Sequence, residues 1–122
     1  MFSIGVDIVQ VKRIEKLMEK RTEQFYGKIF TEKEILYIYE RSSNPKTVAG
    51  LFSAKEAIVK ALGTGIGRIS WLDIEIIHDD YGKPLVNKSD KLNTILLERG
   101  KKSIDISISH EEDYAIAFAI CF

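Results

Sequence analysis

The sequence is short of the residues that staple or interrupt a chain. Its 122 residues include one cysteine, Cys121, so neither an intrachain disulfide nor a cysteine-cluster metal site is available. Long hydrophobic runs are missing too. The longest strictly apolar run is the eight residues from Ala115 to Phe122, far short of the roughly 20 that span a bilayer. The N-terminus has no basic stretch followed by an apolar one, so no secretory signal is expected, and the chain reads as reduced and cytosolic. There is no surplus of either charge: 18 Lys and Arg balance 18 Asp and Glu. That zero sum argues against a dedicated binder of nucleic acid or of anionic membranes. With 45% hydrophobic and 30% charged residues, what remains is an ordinary globular composition, long enough for one domain over residues 1–122.

The balance conceals an uneven layout. Between Gln10 and Lys28 six basic residues (Lys12, Arg13, Lys16, Lys20, Arg21, Lys28) face three acidic ones. From Ile104 onward there are four acidic residues (Asp105, Glu111, Glu112, Asp113) and no Lys or Arg. Such asymmetry sets what a domain attracts more than the sum does, although solvated faces alone would produce the same pattern.

Ser3–Val9 reads as a strand interrupted by Asp7. A helix follows with Ile14, Met18 and Phe25 on one face, and with Arg13, Lys16 and Lys20 aligned on another. Thr31-Glu32-Lys33-Glu34 has capping-box spacing and opens a helix to about Arg41. A longer, Ala-rich helix runs through Ala49, Ala54, Ala57, Ile58, Ala61 and Leu62 and stops at Gly63-Thr64-Gly65-Ile66-Gly67. Trp71–His78 and Leu85–Asn87 read as strands around a turn, and Ser89–Arg99 as a helix. Ile104, Ile106 and Ile108 alternate with polar residues, and Tyr114–Phe122 forms a nearly all-apolar strand. The pattern is one α+β domain, an antiparallel sheet packed with helices.

Four features are able to carry chemistry. Asp7 is a carboxylate inside an apolar strand, costly to bury unless paired or bound to a cation; its plain alternative is to cap the next helix. Glu56 and Lys60 share a helix face at the spacing of a surface ion pair, and Ser53 with Glu56 would make a capping box if the helix began that late. Their helix is so apolar that both charges would be partly desolvated, where a metal or phosphate partner makes sense. Gly63, Gly65 and Gly67 suggest positive φ or close approach to a ligand; they match neither a Walker A loop nor a dinucleotide fingerprint. His110 stands at a strand end with no second histidine or cysteine beside it, since His78 belongs to another strand.

Together these segments resemble the small holo-[acyl-carrier-protein] synthases, the short bacterial 4′-phosphopantetheinyl transferases. The residues that carry the likeness are Gly5-Val6-Asp7 with Lys12-Arg13-Ile14, then Phe52-Ser53-Ala54-Lys55-Glu56-Ala57 through Lys60-Ala61-Leu62-Gly63-Thr64-Gly65-Ile66. Tyr81-Gly82-Lys83-Pro84 and Ser107-Ile108-Ser109-His110 with Tyr114-Ala115 complete it.

The resemblance implies transfer of 4′-phosphopantetheine from coenzyme A to a serine of apo acyl carrier protein for fatty acid biosynthesis, with adenosine 3′,5′-bisphosphate released. It implies Mg²⁺ held by Asp7 and Glu56, and Lys60 on the coenzyme phosphates. The base for the serine proton is then Glu56 or a metal-bound water. Gly63, Thr64, Gly65, Gly82, Lys83, Pro84 and His110 would shape the coenzyme pocket. Arg13, Leu17 and Lys20 would receive the acidic carrier protein. A homotrimer with active sites between subunits is also implied, and neither nucleic acid nor membrane is expected as a partner.

One residue departs from the family pattern: many members carry arginine where this chain has Leu51, which removes a phosphate contact. A related binding module without turnover would show such a loss, but the intact Asp7, Glu56 and Lys60 argue against it. A nucleic-acid-binding domain is the more distant alternative.

Overall fold

A computed structural model describes the backbone of residues 1–122 and every side chain except those of Arg21 and Thr22. Its elements are β1 (Ser3–Gln10), α1 (Val11–Ile29), α2 (Glu32–Glu40), α3 (Pro45–Leu62), β2 (Ile74–His78), β3 (Pro84–Lys88), α4 (Asp90–Glu98), β4 (Ile104–His110) and β5 (Tyr114–Cys121). Strands β1, β5 and β4 form one antiparallel sheet in that order, and β2 pairs with β3 in a separate hairpin.

Local chemistry sets the boundaries. Thr31 Oγ1 accepts from the Glu34 backbone N–H and Glu34 Oε1 accepts from that of Thr31, so the expected capping box opens α2. Helix α3 begins earlier than a box at Ser53 would require, because Asn44 caps it and Pro45 fills its first position. Ser53 is instead buried in mid-helix. Gly63 ends α3 in the left-handed conformation, with φ 72°. Asp7 caps nothing, because β1 continues to Gln10, whose side chain makes no cap. Trp71–Asp73 forms a single 3-10 turn instead of strand, closed by the Asp73 carboxylate on the Ser70 N–H.

The core is organised around α3, which lies against β1, β5, β4 and α1. Its Ala49, Ala54, Ala57 and Ala61 are buried, and the strands above it answer with Ala115, Ala117, Ala119 and Cys121. Small residues on both surfaces let helix and sheet approach closely. The large residues of β5, and most of those of β1, therefore point the other way. Ile4, Val6, Ile8, Ile116 and Phe118 are exposed on the outer face, with Tyr114 and Phe122 beside them. No described helix is long and apolar enough to cross a membrane.

Candidate active site

Gly5, Asp7 and Val9 lie on the face of β1 turned toward α3, by the two-residue period of a strand. At Gly5 the strand rests directly on helix backbone: a Cβ there would stand 2.1 Å from the Ala57 carbonyl oxygen and 2.6 Å from the Ala61 nitrogen. This contact brings Asp7 to the helix face that bears Glu56 and Lys60. Lys60 Nζ donates to Asp7 Oδ1 at 3.2 Å and to the Val6 carbonyl at 3.0 Å. Glu56, one turn earlier, is half-buried, and its carboxyl is held above the usual carboxylate range by burial and by the charge of Asp7, with Lys60 opposing.

The donor set suits a hard divalent cation. The charge of Asp7 acts on the Glu56 carboxyl, so the two carboxylates are near neighbours, and Asp7 already draws an ammonium. Among the described residues no group of three or more His, Cys, Asp or Glu gathers. Two carboxylates that leave the other positions to water and phosphate match the habit of Mg²⁺ more than that of zinc or calcium.

A second feature is a cavity of about 170 Å³ lined by Tyr37, Lys46, Leu51, His78, Gly82, Pro84 and His110, among others. Gly82, Pro84 and His110 thus meet at one cavity. Lys83 is not in its lining. Gly63, Thr64 and Gly65 lie at the C-terminal end of α3, beyond Lys60, and do not line it either. The second histidine that seemed remote in sequence is on this cavity: His78 stacks on Tyr37 with centroids 3.9 Å apart and planes 2° apart. The Arg41 guanidinium covers Tyr37 at 4.8 Å. Burial and Arg41 push the His78 imidazole below its usual value, against Asp79, and its Nδ1 is buried without a hydrogen-bond partner. The sequence carried no signal for the stack itself; only the four-residue spacing of Tyr37 and the C-cap residue Arg41 hinted at their contact.

On α1, Arg13, Leu17 and Lys20 are exposed. Leu17 lines an apolar groove with Phe25, Ile29 and Trp71. Arg21 belongs to the same basic stretch, but its side chain lies outside the described residues. Behind the groove is an ion pair that composition did not suggest. Lys55 Nζ donates to Glu34 Oε1 (2.6 Å), the Ile29 carbonyl (2.5 Å) and the Trp71 carbonyl (2.9 Å), and both side chains are fully buried. Burial pushes the Glu34 carboxyl up and the Lys55 ammonium down, while their mutual attraction works against both.

A family model described as the 4′-phosphopantetheinyl transferase superfamily matches residues 3–119. The chain belongs to this superfamily. Within the superfamily it is 50% identical over 117 residues to holo-[acyl-carrier-protein] synthase of Caldanaerobacter subterraneus, covering 96% of this chain and 91% of that protein. The same identity holds over 123 residues with the Fusobacterium nucleatum enzyme, at 98% of both chains. Among solved structures, the synthase of Neisseria meningitidis superposes with a TM-score of 0.90 at 40% identity, covering 98% of this chain and 97% of that one. The Helicobacter pylori synthase, solved in complex with coenzyme A, gives 0.87 at 34% identity, with 98% and 99% covered. The expected α+β transferase fold is the one observed.

Proposed function

We propose that this protein transfers the 4′-phosphopantetheine of coenzyme A to a serine of apo acyl carrier protein, giving holo carrier and adenosine 3′,5′-bisphosphate. The observation that carries this reading is the meeting of Asp7, Glu56 and Lys60 where β1 crosses α3, in a chain half identical to holo-[acyl-carrier-protein] synthases. In the reaction the serine oxygen bonds to the phosphorus that bears the pantetheine. The pyrophosphate P–O bond on the nucleotide side breaks, and the bisphosphate leaves with the electron pair.

Asp7 and Glu56 would hold Mg²⁺, which supplies charge neutralisation on the pyrophosphate when bound. Lys60 adds a point charge for the phosphate that leaves, where negative charge builds up in the transition state. Glu56 is a candidate acceptor of the serine proton. Gly82, Pro84 and His110 shape one part of the coenzyme pocket, with Lys83 between the first two in the chain but off the cavity lining, and Gly63, Thr64 and Gly65 shape another. Arg13, Leu17 and Lys20 receive the carrier: the basic residues steer an acidic partner and the Leu17 groove takes an apolar contact.

The carboxylate pair and the His110 cavity share no lining residue in one chain. The sheet also leaves Ile4, Val6, Ile8, Ile116 and Phe118 uncovered, a contiguous apolar face of the kind that marks an interface. Both features support a homotrimer in which the carboxylates of one copy meet the cavity of the next. The same reading makes this a cytoplasmic enzyme of fatty acid biosynthesis.

Mass spectrometry of apo acyl carrier protein, incubated with the protein, coenzyme A and Mg²⁺, tests the reading. The carrier should gain one phosphopantetheine on its serine. No gain on a carrier that a known synthase modifies would sink it.

A further inference from the structure

The Leu17 groove, about 250 Å³ in volume, is built from two segments far apart in the chain. Leu17, Phe25, Lys28 and Ile29 belong to α1, whereas Trp71 opens the 3-10 turn ahead of β2. No backbone ladder joins a helix to such a turn, so side chains must set the width of the groove.

Lys55 lies behind both rims. Its ammonium donates to the Ile29 carbonyl at 2.5 Å and to the Trp71 carbonyl at 2.9 Å, one on each side of the groove. The third donor goes to Glu34 Oε1 at 2.6 Å. An ammonium has three donors, and Lys55 spends all of them inside the protein. Its Nζ also stands 5.4 Å from the centre of the Phe30 ring, which packs edge-on against Phe25 of the groove. Glu34 has a different role. Its carboxylate accepts from Thr31, Ile76 and Lys55, none of which lines the groove. Apolar residues often replace a buried ion pair at no cost in stability, which turns attention to what the ammonium holds besides Glu34. Lys55 also precedes Glu56 on α3, so one residue joins the two rims to the helix that bears the candidate cation ligand.

We propose that Lys55 is a positioning residue for the carrier: by holding the Ile29 and Trp71 carbonyls it sets the width of the groove and its place relative to Glu56. The inference rests on the transferase reading and on docking of the carrier at Leu17. Charge complementarity supports that occupant, since Lys28 lines the groove and Arg13 and Lys20 are exposed on the same helix, where an acidic protein fits.

Trp71 is the single tryptophan of the chain and lines the groove, so its fluorescence reads docking without turnover. Titration with a tryptophan-free apo acyl carrier protein, with transfer kinetics alongside, compares two variants that both break the ion pair. In Lys55→Met the rim carbonyls lose their donor. Carrier Kd and KM should rise about 10-fold, while KM for coenzyme A stays within about twofold of wild type. Glu34→Gln removes the anion and leaves the amine in place. Burial already draws the Lys55 pKa down against Glu34, and a neutral amine still has two donors for the two carbonyls. Carrier Kd should therefore stay within about twofold of wild type in Glu34→Gln, although the protein is less stable. Where Lys55→Met does not fold, Glu34→Leu combined with it should show the same rise. An equal rise in Lys55→Met and Glu34→Gln, or none in the variants that lack Lys55, overturns the proposal while a transferring wild type keeps the reaction. So does a wild type that transfers with no change in Trp71 emission on carrier binding. If the wild-type protein does not modify the carrier at all, the reaction reading falls and this assignment with it.

Discussion

Lys60 Nζ lies 3.2 Å from Asp7 Oδ1, so the ammonium that the reaction assigns to phosphate rests on a carboxylate assigned to the cation. Asp7 is mostly buried and Lys60 is half exposed, which makes Lys60 the mobile member of the pair. On the proposed reaction the lysine would exchange Asp7 for the phosphate.

Lys60→Met should accordingly have opposite effects on binding and on turnover. Without coenzyme A, Mn²⁺ affinity measured by electron paramagnetic resonance should rise about two- to fivefold, the scale of a partly solvated ion pair. The transfer rate should drop about 100-fold through loss of the charge on the leaving phosphate. Unchanged or weaker Mn²⁺ binding would show that Lys60 does not compete for Asp7.

Gly5 gives the second test. Its missing Cβ is what allows β1 to rest on the Ala57 carbonyl oxygen, so Gly5→Ala must push strand from helix. Overpacking of this kind destabilises by about 1–3 kcal/mol. Because Asp7 is two residues along, transfer should fall further than the loss of folded protein explains. A variant with wild-type melting temperature and rate would mean that the contact is slack.

These two sites differ in how legible they were. The elements could be read because their signals are local: the Thr31 capping box, Asn44-Pro45 ahead of α3, and Gly63 after it act within a few residues. The placement of Asp7 against Glu56 and Lys60 depends on a strand crossing a helix some 50 positions away. Only the family likeness paired them beforehand. The Lys55–Glu34 pair and the Tyr37–His78 stack left almost no trace, since each joins segments whose own patterns are ordinary. In β5 the apolar run hid a division of labour. Alanines face α3, while Ile116 and Phe118 face outward; no periodicity shows when both faces are apolar.

The Lys55–Glu34 pair predicts an asymmetry between single and double substitution. Lys55→Met leaves the Glu34 carboxylate buried without its cation and should cost about 3–5 kcal/mol in chemical denaturation. Glu34→Leu combined with Lys55→Met removes both charges and should recover part of that loss, the Thr31 and Ile76 N–H groups losing their acceptor. The double variant still lacks four hydrogen bonds, from Lys55 to the Ile29 and Trp71 carbonyls and from the Thr31 and Ile76 N–H groups to Glu34; the first two border the Leu17 groove, so its KM for the carrier should rise. A double variant no more stable than the single one would mean that the hydrogen bonds, and not the charges, dominate.

His78 predicts a dependence of stability on pH. Burial and the nearby Arg41 keep its folded-state pKa below the ordinary 6.5. Between those two values the unfolded chain holds a proton on this ring that the folded chain does not. Stability is therefore full above pH 6.5 and declines as pH falls toward the folded value. His78→Phe keeps an aromatic ring on Tyr37 and removes the titrating group. Between pH 7 and pH 5.5 the variant should lose less melting temperature than the wild type. Parallel curves for the two proteins would mean that the imidazole takes up its proton equally in both states, and that Arg41 and burial do not hold it neutral.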